Sequence, residues 1–164
     1  MSSAFVLRPA TQPDGAFLGD MLVEAANWQP AGARPKHEVL TSAVQLRYVT
    51  GWMRPGDTGV IAESSSGEAI GAAWYRTLPR NEPGFGYVDI GVPELIIGVR
   101  PIWRARGVGR ALLRSLTATA QAAGYARLSL SVERENYATT LYRSEGFAMT
   151  DQGATRVTMV RRLR

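Results

Sequence analysis

The sequence predicts an α+β fold, a mixed sheet with helices packed on it. Three observations carry that prediction. The hydrophobic spacing switches period along the chain, from helical to alternating and back. The resulting order of elements, βαα-βββ-αβαββ, is not the clean βα alternation of a parallel sheet. The length, 164 residues, suits one domain (1–164) with a sizeable core.

Taken in order, "AFVLRPA" reads as a first strand. Residues 13–26 read as a helix, with Phe17, Leu18, Met21, Leu22 and Ala25 on one side. "NWQPAGARP" is a loop of turn residues. Residues 36–53 read as one second helix with Val39, Leu40, Val44, Tyr48 and Met53 near a stripe, stopped by "RPGD". "TGVIAESSSGEAIGAAWYRTL" is a hairpin around a Ser-Gly turn. "PRNEPGFGYVDIGVP" is a Gly/Pro-rich connection, and "ELIIGVRP" is an apolar strand. Residues 107–123 form a helix with Val108, Leu112, Leu116 and Ala123 on one face and Gly124 at its C-terminal cap. "RLSLSVE" alternates, so Leu128, Leu130 and Val132 face a core. Asn136 can cap a short helix over 137–145 that Gly146 ends. Strands at about 147–151 and 155–162 finish the chain.

Composition narrows the chemistry. Apolar residues make up 45% and charged residues 20%, with no run near the roughly 18 apolar residues of a membrane span. The opening "MSSAFVLRPATQPD" lacks a basic stretch leading into an apolar one, so a signal peptide is not expected and a cytoplasmic protein is the default. Zero cysteines exclude disulfides, thiolate metal sites and a cysteine nucleophile. The lone His37 builds no histidine metal site and reads as a surface residue opening the second helix, so no metal is expected. Net charge is +5, and Lys36 is the one lysine among 19 basic residues. Such an excess of arginine fits either an anionic partner or the codon bias of a GC-rich genome.

The most informative stretch is "VRPIWRARGVGRALLRSL", residues 99–116, in which a strand passes through Pro101 into an Arg-rich, two-glycine loop and then a helix. Gly107 and Gly109 let backbone approach a ligand closely. The first turn of the helix leaves N–H groups unpaired and carries the positive end of the dipole, so the place suits an anion, phosphate above all. Arg104, Arg106 and Arg110 add charge around it. A P-loop is excluded because no Gly-Lys-Ser/Thr follows, and Leu112 stands where the dinucleotide fingerprint has its third glycine. A plain strand-to-helix turn with solvated arginines accounts for the glycines equally well. A nucleic-acid binder is not expected, since no DNA-binding motif or set of stacking aromatics accompanies the arginines.

Further on comes "LSLSVERENYATTLYRSEGF". The loop from Arg104 through Gly107 to Gly109 is similar to the acetyl-CoA loop, (Arg/Gln)-x-x-Gly-x-(Gly/Ala), of the GNAT family of acyl-CoA N-acetyltransferases. Asn136, Ala138, Leu141, Tyr142, Gly146 and Phe147 resemble that family's second signature, Asn-x-x-Ala-x-x-Leu-Tyr-x-x-x-Gly-Phe. The resemblance covers about residues 94–148, and the first 90 residues match in element order only.

The resemblance implies an α/β (α+β) GNAT fold: a central mixed, mostly antiparallel six- to seven-stranded sheet with helices on both faces. Its two parallel central strands, "ELIIGV" and "LSLSV", would splay apart. It implies acetyl-CoA as co-substrate, with pantetheine amides pairing near Ile97 and Val99 and the pyrophosphate on the N–H groups of Ala105, Arg106, Gly107, Val108, Gly109 and Arg110. It implies transfer of acetyl to a primary amine by direct attack. In that reaction Tyr142 would be the general acid, though it also reads as a core aromatic beside Leu141. Glu94 would be the base, though it also reads as an exposed strand-end carboxylate, and Asp89 is the alternative. A backbone N–H near Val99 would serve the oxyanion. Asn136 would touch the cofactor, cap its helix, or both. Trp28, Trp52 and Trp74 are candidates for an acceptor pocket or for the core; Glu63, Glu68 and Glu82 are further carboxylates that nothing singles out. A non-catalytic acyl-CoA sensor of the same fold is the other reading. Dimers are common in the family, and "TRVTMVRRL" would offer the edge for one.

Overall fold

The structure is a computed structural model, and it describes residues 4–28 and 34–164. The middle of the expected loop "NWQPAGARP", residues 29–33, lies outside the described residues. The sheet has seven strands: β1 (Phe5–Pro9), β2 (Thr58–Ser64), β3 (Ala69–Arg76), β4 (Glu94–Val99), β5 (Arg127–Glu133), β6 (Ala148–Gln152) and β7 (Arg156–Arg162). Their order across the sheet is β1-β2-β3-β4-β5-β7-β6. Every neighbouring pair is antiparallel except β4 and β5. The helices are α1 (Gly15–Ala26), α2 (Lys36–Thr41), α3 (Ala43–Leu46), α4 (Val108–Ala122) and α5 (Ala138–Ser144). None of the described helices is long and apolar enough to cross a membrane.

Two cores lie on opposite faces of the sheet, sorted by the period-2 alternation of its strands. Val60 and Ala62 of β2, with Ala73 and Tyr75 of β3, pack against Leu112, Leu113, Leu116 and Ala120 of α4. Ile61, Ala72 and Trp74 point the other way, onto Leu18, Met21 and Leu22 of α1. A strand buried on both faces has no polar side to show, which is why "AIGAAWYR" reads as nearly continuous apolar sequence.

Four sequence expectations are corrected here. The helix expected over 36–53 is broken at Ser42, whose backbone leaves the helical region (φ −67°, ψ 126°) and whose hydroxyl accepts from the Gln45 N–H. Serine competes with the helix through its own side chain, so a short capped restart replaces a continuous helix. Turns then carry residues 47–53, which buries Tyr48 and leaves Met53 exposed instead of in the stripe. Ala123 is exposed because α4 ends at Ala122 and its buried face closes with Ala120. Gly124 does stand at the helix end, with φ +90° and the paired bonds Gly124 N–H to Gln121 O and Tyr125 N–H to Ala120 O. Lastly, "TRVTMVRRL" offers no edge: β7 is bonded to β5 on one side and β6 on the other, so the sheet ends in β1 and β6.

Candidate active site

The single parallel pair of strands creates the site. β4 and β5 share one register pair, Glu94 opposite Ser129, with the Ser129 N–H donating to Pro93 O. Beyond it the strands diverge, and Ile97 and Val99 have no β5 residue opposite. On its other side β4 is paired with β3 along its whole length, and the Arg100 N–H reaches Ile70 O. Alternation then turns the peptide groups of Ile97 and Val99 away from β3, into the opening.

The loop that closes the wide end of this opening has the backbone the sequence suggested. Ala105 sits at φ +60° and Gly107 at φ +84°, the latter capping α4. The left-handed conformation at Gly107 suits glycine, and it aims the first-turn N–H groups of α4 into the cleft mouth. Gly109 lies in that turn, where a Cβ would meet only Leu141 Cδ2 at 3.7 Å. The residues therefore leave a flat, amide-lined surface of the kind a pyrophosphate needs.

Several arginines of the loop and of α4 have carboxylate partners within the chain. Arg104 is tied to Val99 O (3.2 Å) and to the Glu24 carboxylate (3.1 Å), bracing the loop against α1. Arg110 and Arg114 converge on Glu145, whose carboxyl they hold below its ordinary range. Arg106 lies over the Trp103 ring at 5.3 Å. Much of the positive charge at the loop is thus already matched by carboxylate. Spacing along the sequence could not reveal this, since Glu24 and Glu145 come from distant elements.

Glu94 is buried, 3% exposed, and is no surface carboxylate. Its Oε2 accepts from the Tyr48 hydroxyl at 2.5 Å and from the Gly86 N–H at 2.9 Å. The Phe85 N–H in turn donates to the Tyr48 oxygen at 2.7 Å. Its other oxygen, Oε1, is buried without a hydrogen-bond partner among the described residues. Burial raises the carboxyl to about 7 against the pull of these donors. The loop pays for such closeness in side chains: a Cβ on Gly84 would collide with Glu94 and with the Tyr48 hydroxyl.

Tyr142 lies on α5, edge-on to Phe147 at 6.2 Å and against the α4-side core. Burial pushes its phenol up to about 12, which keeps it protonated. It therefore packs as an aromatic and also faces the cleft, so the two sequence readings are compatible. Asn136 serves the start of α5 and also borders the cleft. Its Oδ1 accepts from the Ala138 N–H at 2.9 Å.

One cleft of about 500 Å³ takes in these parts. Glu94, Ile97, Val99, Arg104, Ala105, Gly107, Gly109, Arg110, Asn136 and Tyr142 all line it. Arg106 and Val108 do not; the Val108 side chain is core, which leaves only its backbone for a ligand. Asp89 is away from the cleft, exposed and 3.8 Å from Arg127. Of the tryptophans, Trp28 lines the cleft, whereas Trp52 and Trp74 are core residues donating to Thr11 O and Tyr48 O. Glu63 is paired with Arg8, and Glu68 and Glu82 are exposed outside the cleft. His37 is exposed at the start of α2. Sequence reasoning missed Tyr48, Phe85, Gly86 and Arg156. Tyr48 was legible only as a buried helix position; the other three carried no local signal.

An open seven-stranded sheet split at its one parallel pair, with a glycine loop and a helix start across the gap, defines an acyltransferase class. Comparison agrees with that reading: residues 20–147 match the model of the acetyltransferase (GNAT) family, and the chain belongs to it. A mycothiol acetyltransferase of Jonesia denitrificans is 31% identical over 127 residues, 76% of this chain and 37% of that protein. Another, from Nocardiopsis dassonvillei, is 33% identical over 132 residues, 77% of this chain and 38% of that protein. The chain thus spans well under half the length of these relatives. Among solved structures, the PaiA N-acetyltransferase of Thermoplasma acidophilum, in complex with coenzyme A, has a TM-score of 0.71 at 16% identity, covering 97% of this chain and 99% of that one. A phosphinothricin acetyltransferase of Sinorhizobium meliloti, in complex with acetyl-CoA, has a TM-score of 0.68 at 20% identity, covering 96% of this chain and 88% of that one. Both share its fold.

Proposed function

We propose that this chain transfers acetyl from acetyl-CoA to a primary amine by direct attack, in the cytoplasm. One observation carries the proposal. The same cleft holds a carboxyl poised near neutrality with one buried oxygen lacking a hydrogen-bond partner among the described residues, a phenol kept protonated, and a strand edge with no β5 residue opposite, leading to a glycine loop.

Acetyl-CoA, when bound, supplies an activated acyl group and a thiolate leaving group. The peptide groups of Ile97 and Val99 would hold its pantetheine arm as a strand-like partner. The backbone N–H groups of residues 105–110 would hold its pyrophosphate, with Arg106 adding charge and Asn136 flanking the arm. Such holding converts an encounter into a positioned attack, a large share of the rate gain.

Glu94 Oε1 takes a proton from the incoming amine, leaving the nitrogen lone pair to form the new bond at the acyl carbon. A carboxyl near 7 suits that task at neutral pH. A backbone N–H of β4 near Val99 would donate to the oxygen that gains negative charge. Tyr142 gives its phenolic proton to the sulfur as the carbon–sulfur bond breaks. The nitrogen gives up its second proton as the amide forms. That proton makes good the one the phenol lost to sulfur, and Glu94 releases its own to solvent, so one proton is released per transfer.

The test is calorimetric titration with acetyl-CoA and with coenzyme A, followed by thiol release with a panel of amines. Micromolar binding, lost in Gly109→Trp, is expected, because an indole there would cover the N–H groups. Absence of binding up to about millimolar, near −4 kcal/mol, would refute the proposal. Binding without turnover on any amine would favour the acyl-CoA sensor reading instead.

A further inference from the structure

The β5–β7 side of the cleft holds charges that the transfer reaction does not use. Arg156, on β7, lines the cleft with Phe85 and Glu133. Its guanidinium carbon lies 4.4 Å from the centre of the Phe85 ring. Its Nε donates to Ser131 Oγ at 2.7 Å, and one Nη2 contact reaches Ser131 O at 3.5 Å. Its Nη1 has Glu133 Oε1 no nearer than 3.8 Å, beyond hydrogen-bond reach.

Glu133 cannot neutralise this group fully, because it is already engaged. It accepts from Trp28 Nε1 at 2.9 Å and from Arg34 Nη2 at 3.0 Å. Two guanidiniums therefore share the Glu133 carboxylate, and the other carboxyl that acts on Arg156 is Glu94, the group that an incoming ammonium would engage. The Arg156 charge belongs to a half-buried group with donors to spare, where an anion would be held more strongly than at the surface. The path from it to the base is short: Arg156 lies on Phe85, the Phe85 ring is 6.5 Å from that of Tyr48, and the Tyr48 hydroxyl is bonded to Glu94. A cleft that offers a carboxylate for an amine and a guanidinium for an anion matches a molecule carrying both.

We propose that the acceptor is a small amino acid, its amine received by Glu94 and its carboxylate by Arg156. The products are then an N-acetyl amino acid and coenzyme A. This inference rests on the acetyl-transfer reading above. A purely cationic amine that engaged Glu94 would leave Arg156 only its shared contact with Glu133.

The test is thiol release with saturating acetyl-CoA and free L-amino acids, each run beside its C-terminal amide. A polyamine and an amino sugar serve as acceptors without a carboxylate. For the preferred side chain, the acid is expected to exceed its amide at least tenfold in kcat/KM, mostly through KM, as fits one charge-assisted contact. Arg156→Gln should bring acid and amide close together, and Arg156→Lys should restore part of the preference. The inference is overturned if amide and acid are equal, or if the polyamine or amino sugar is the best acceptor. It is also overturned if Arg156→Gln slows acid and amide alike, which marks a structural arginine. Acetyl-CoA binding with no amino acid acetylated overturns it while leaving the cofactor site standing. Loss of acetyl-CoA binding in the wild-type chain would instead defeat the transfer reading beneath it.

Discussion

Tyr48→Phe is the sharpest probe of the role proposed for Glu94. The substitution removes one hydroxyl and keeps the ring, so the packing around a 3%-exposed side chain is retained. What goes is the 2.5 Å bond to Glu94 Oε2, which favours the charged carboxylate. A hydrogen bond to a charged group contributes about 1.5–3 kcal/mol. At 1.36 kcal/mol per pKa unit, losing it should raise the Glu94 carboxyl by about 1–2 units above its present value of about 7. The acid limb of the kcat/KM profile should move to higher pH by that amount. At pH 7 activity should fall by roughly fivefold to fiftyfold, and above pH 9 most of it should return. The assay is thiol release from pH 5.5 to 9.5 with one acceptor for both proteins, so that the ionisation of the amine cancels in the comparison. Stability will also drop, since the Phe85 N–H loses its acceptor, and melting curves at each pH would confirm that folded protein is being compared. A uniform loss of activity at every pH, with the limb unmoved, would refute the reasoning: Tyr48 would then be structural, and Glu94 would not be the titrating base.

The buried Glu94 also sets a pH dependence of stability. Its carboxyl is raised in the folded state, so the folded protein binds the extra proton and stability is lost as pH rises from about 4.5 through about 7. Glu94→Gln should erase that slope, gaining on the order of 3 kcal/mol relative to wild type between pH 4.5 and 8, as read from urea midpoints at the two ends. Asp57 and Arg76 form an ion pair with side chains 2% and 0% exposed, and Arg76 also bonds the carbonyls of Arg47 and Thr50. Asp57→Asn should therefore cost about 3–5 kcal/mol by stranding a buried guanidinium, measurable by chemical denaturation. Glu145→Gln should free Arg110 and Arg114 at the loop. Acetyl-CoA affinity should then rise several-fold at low ionic strength and return toward wild type at about 0.5 M salt, where charge is screened; a salt-independent change would contradict this.

The parts of this protein legible in the sequence are those written in local chemistry. The β–loop–helix of residues 94–122 shows in its apolar strand, its glycines and its helical period, because backbone conformation and amphipathicity are properties of near neighbours. Gly107 could be recognised as a loop residue for the same reason: its positive φ is a local demand. Glu94, Asn136 and Tyr142 were found through motif position, and the structure brings all three to one cleft. What remained hidden depended on partners far along the chain. Whether Arg110 faces a phosphate or a carboxylate turns on Glu145, 35 residues away. Whether residues 36–53 form one helix turns on the Ser42 break that frees Tyr48 to reach Glu94, 46 residues on. The edge expected of β7 vanished because β6 folds back to cover it. Sequence by itself determined most of the elements and the glycine loop before α4. Only the tertiary structure decided which charges are paired, which carboxyl is buried deeply enough to be raised to about 7, and that Arg156 lines the same cleft, since desolvation and pairing are set by what surrounds a group in space.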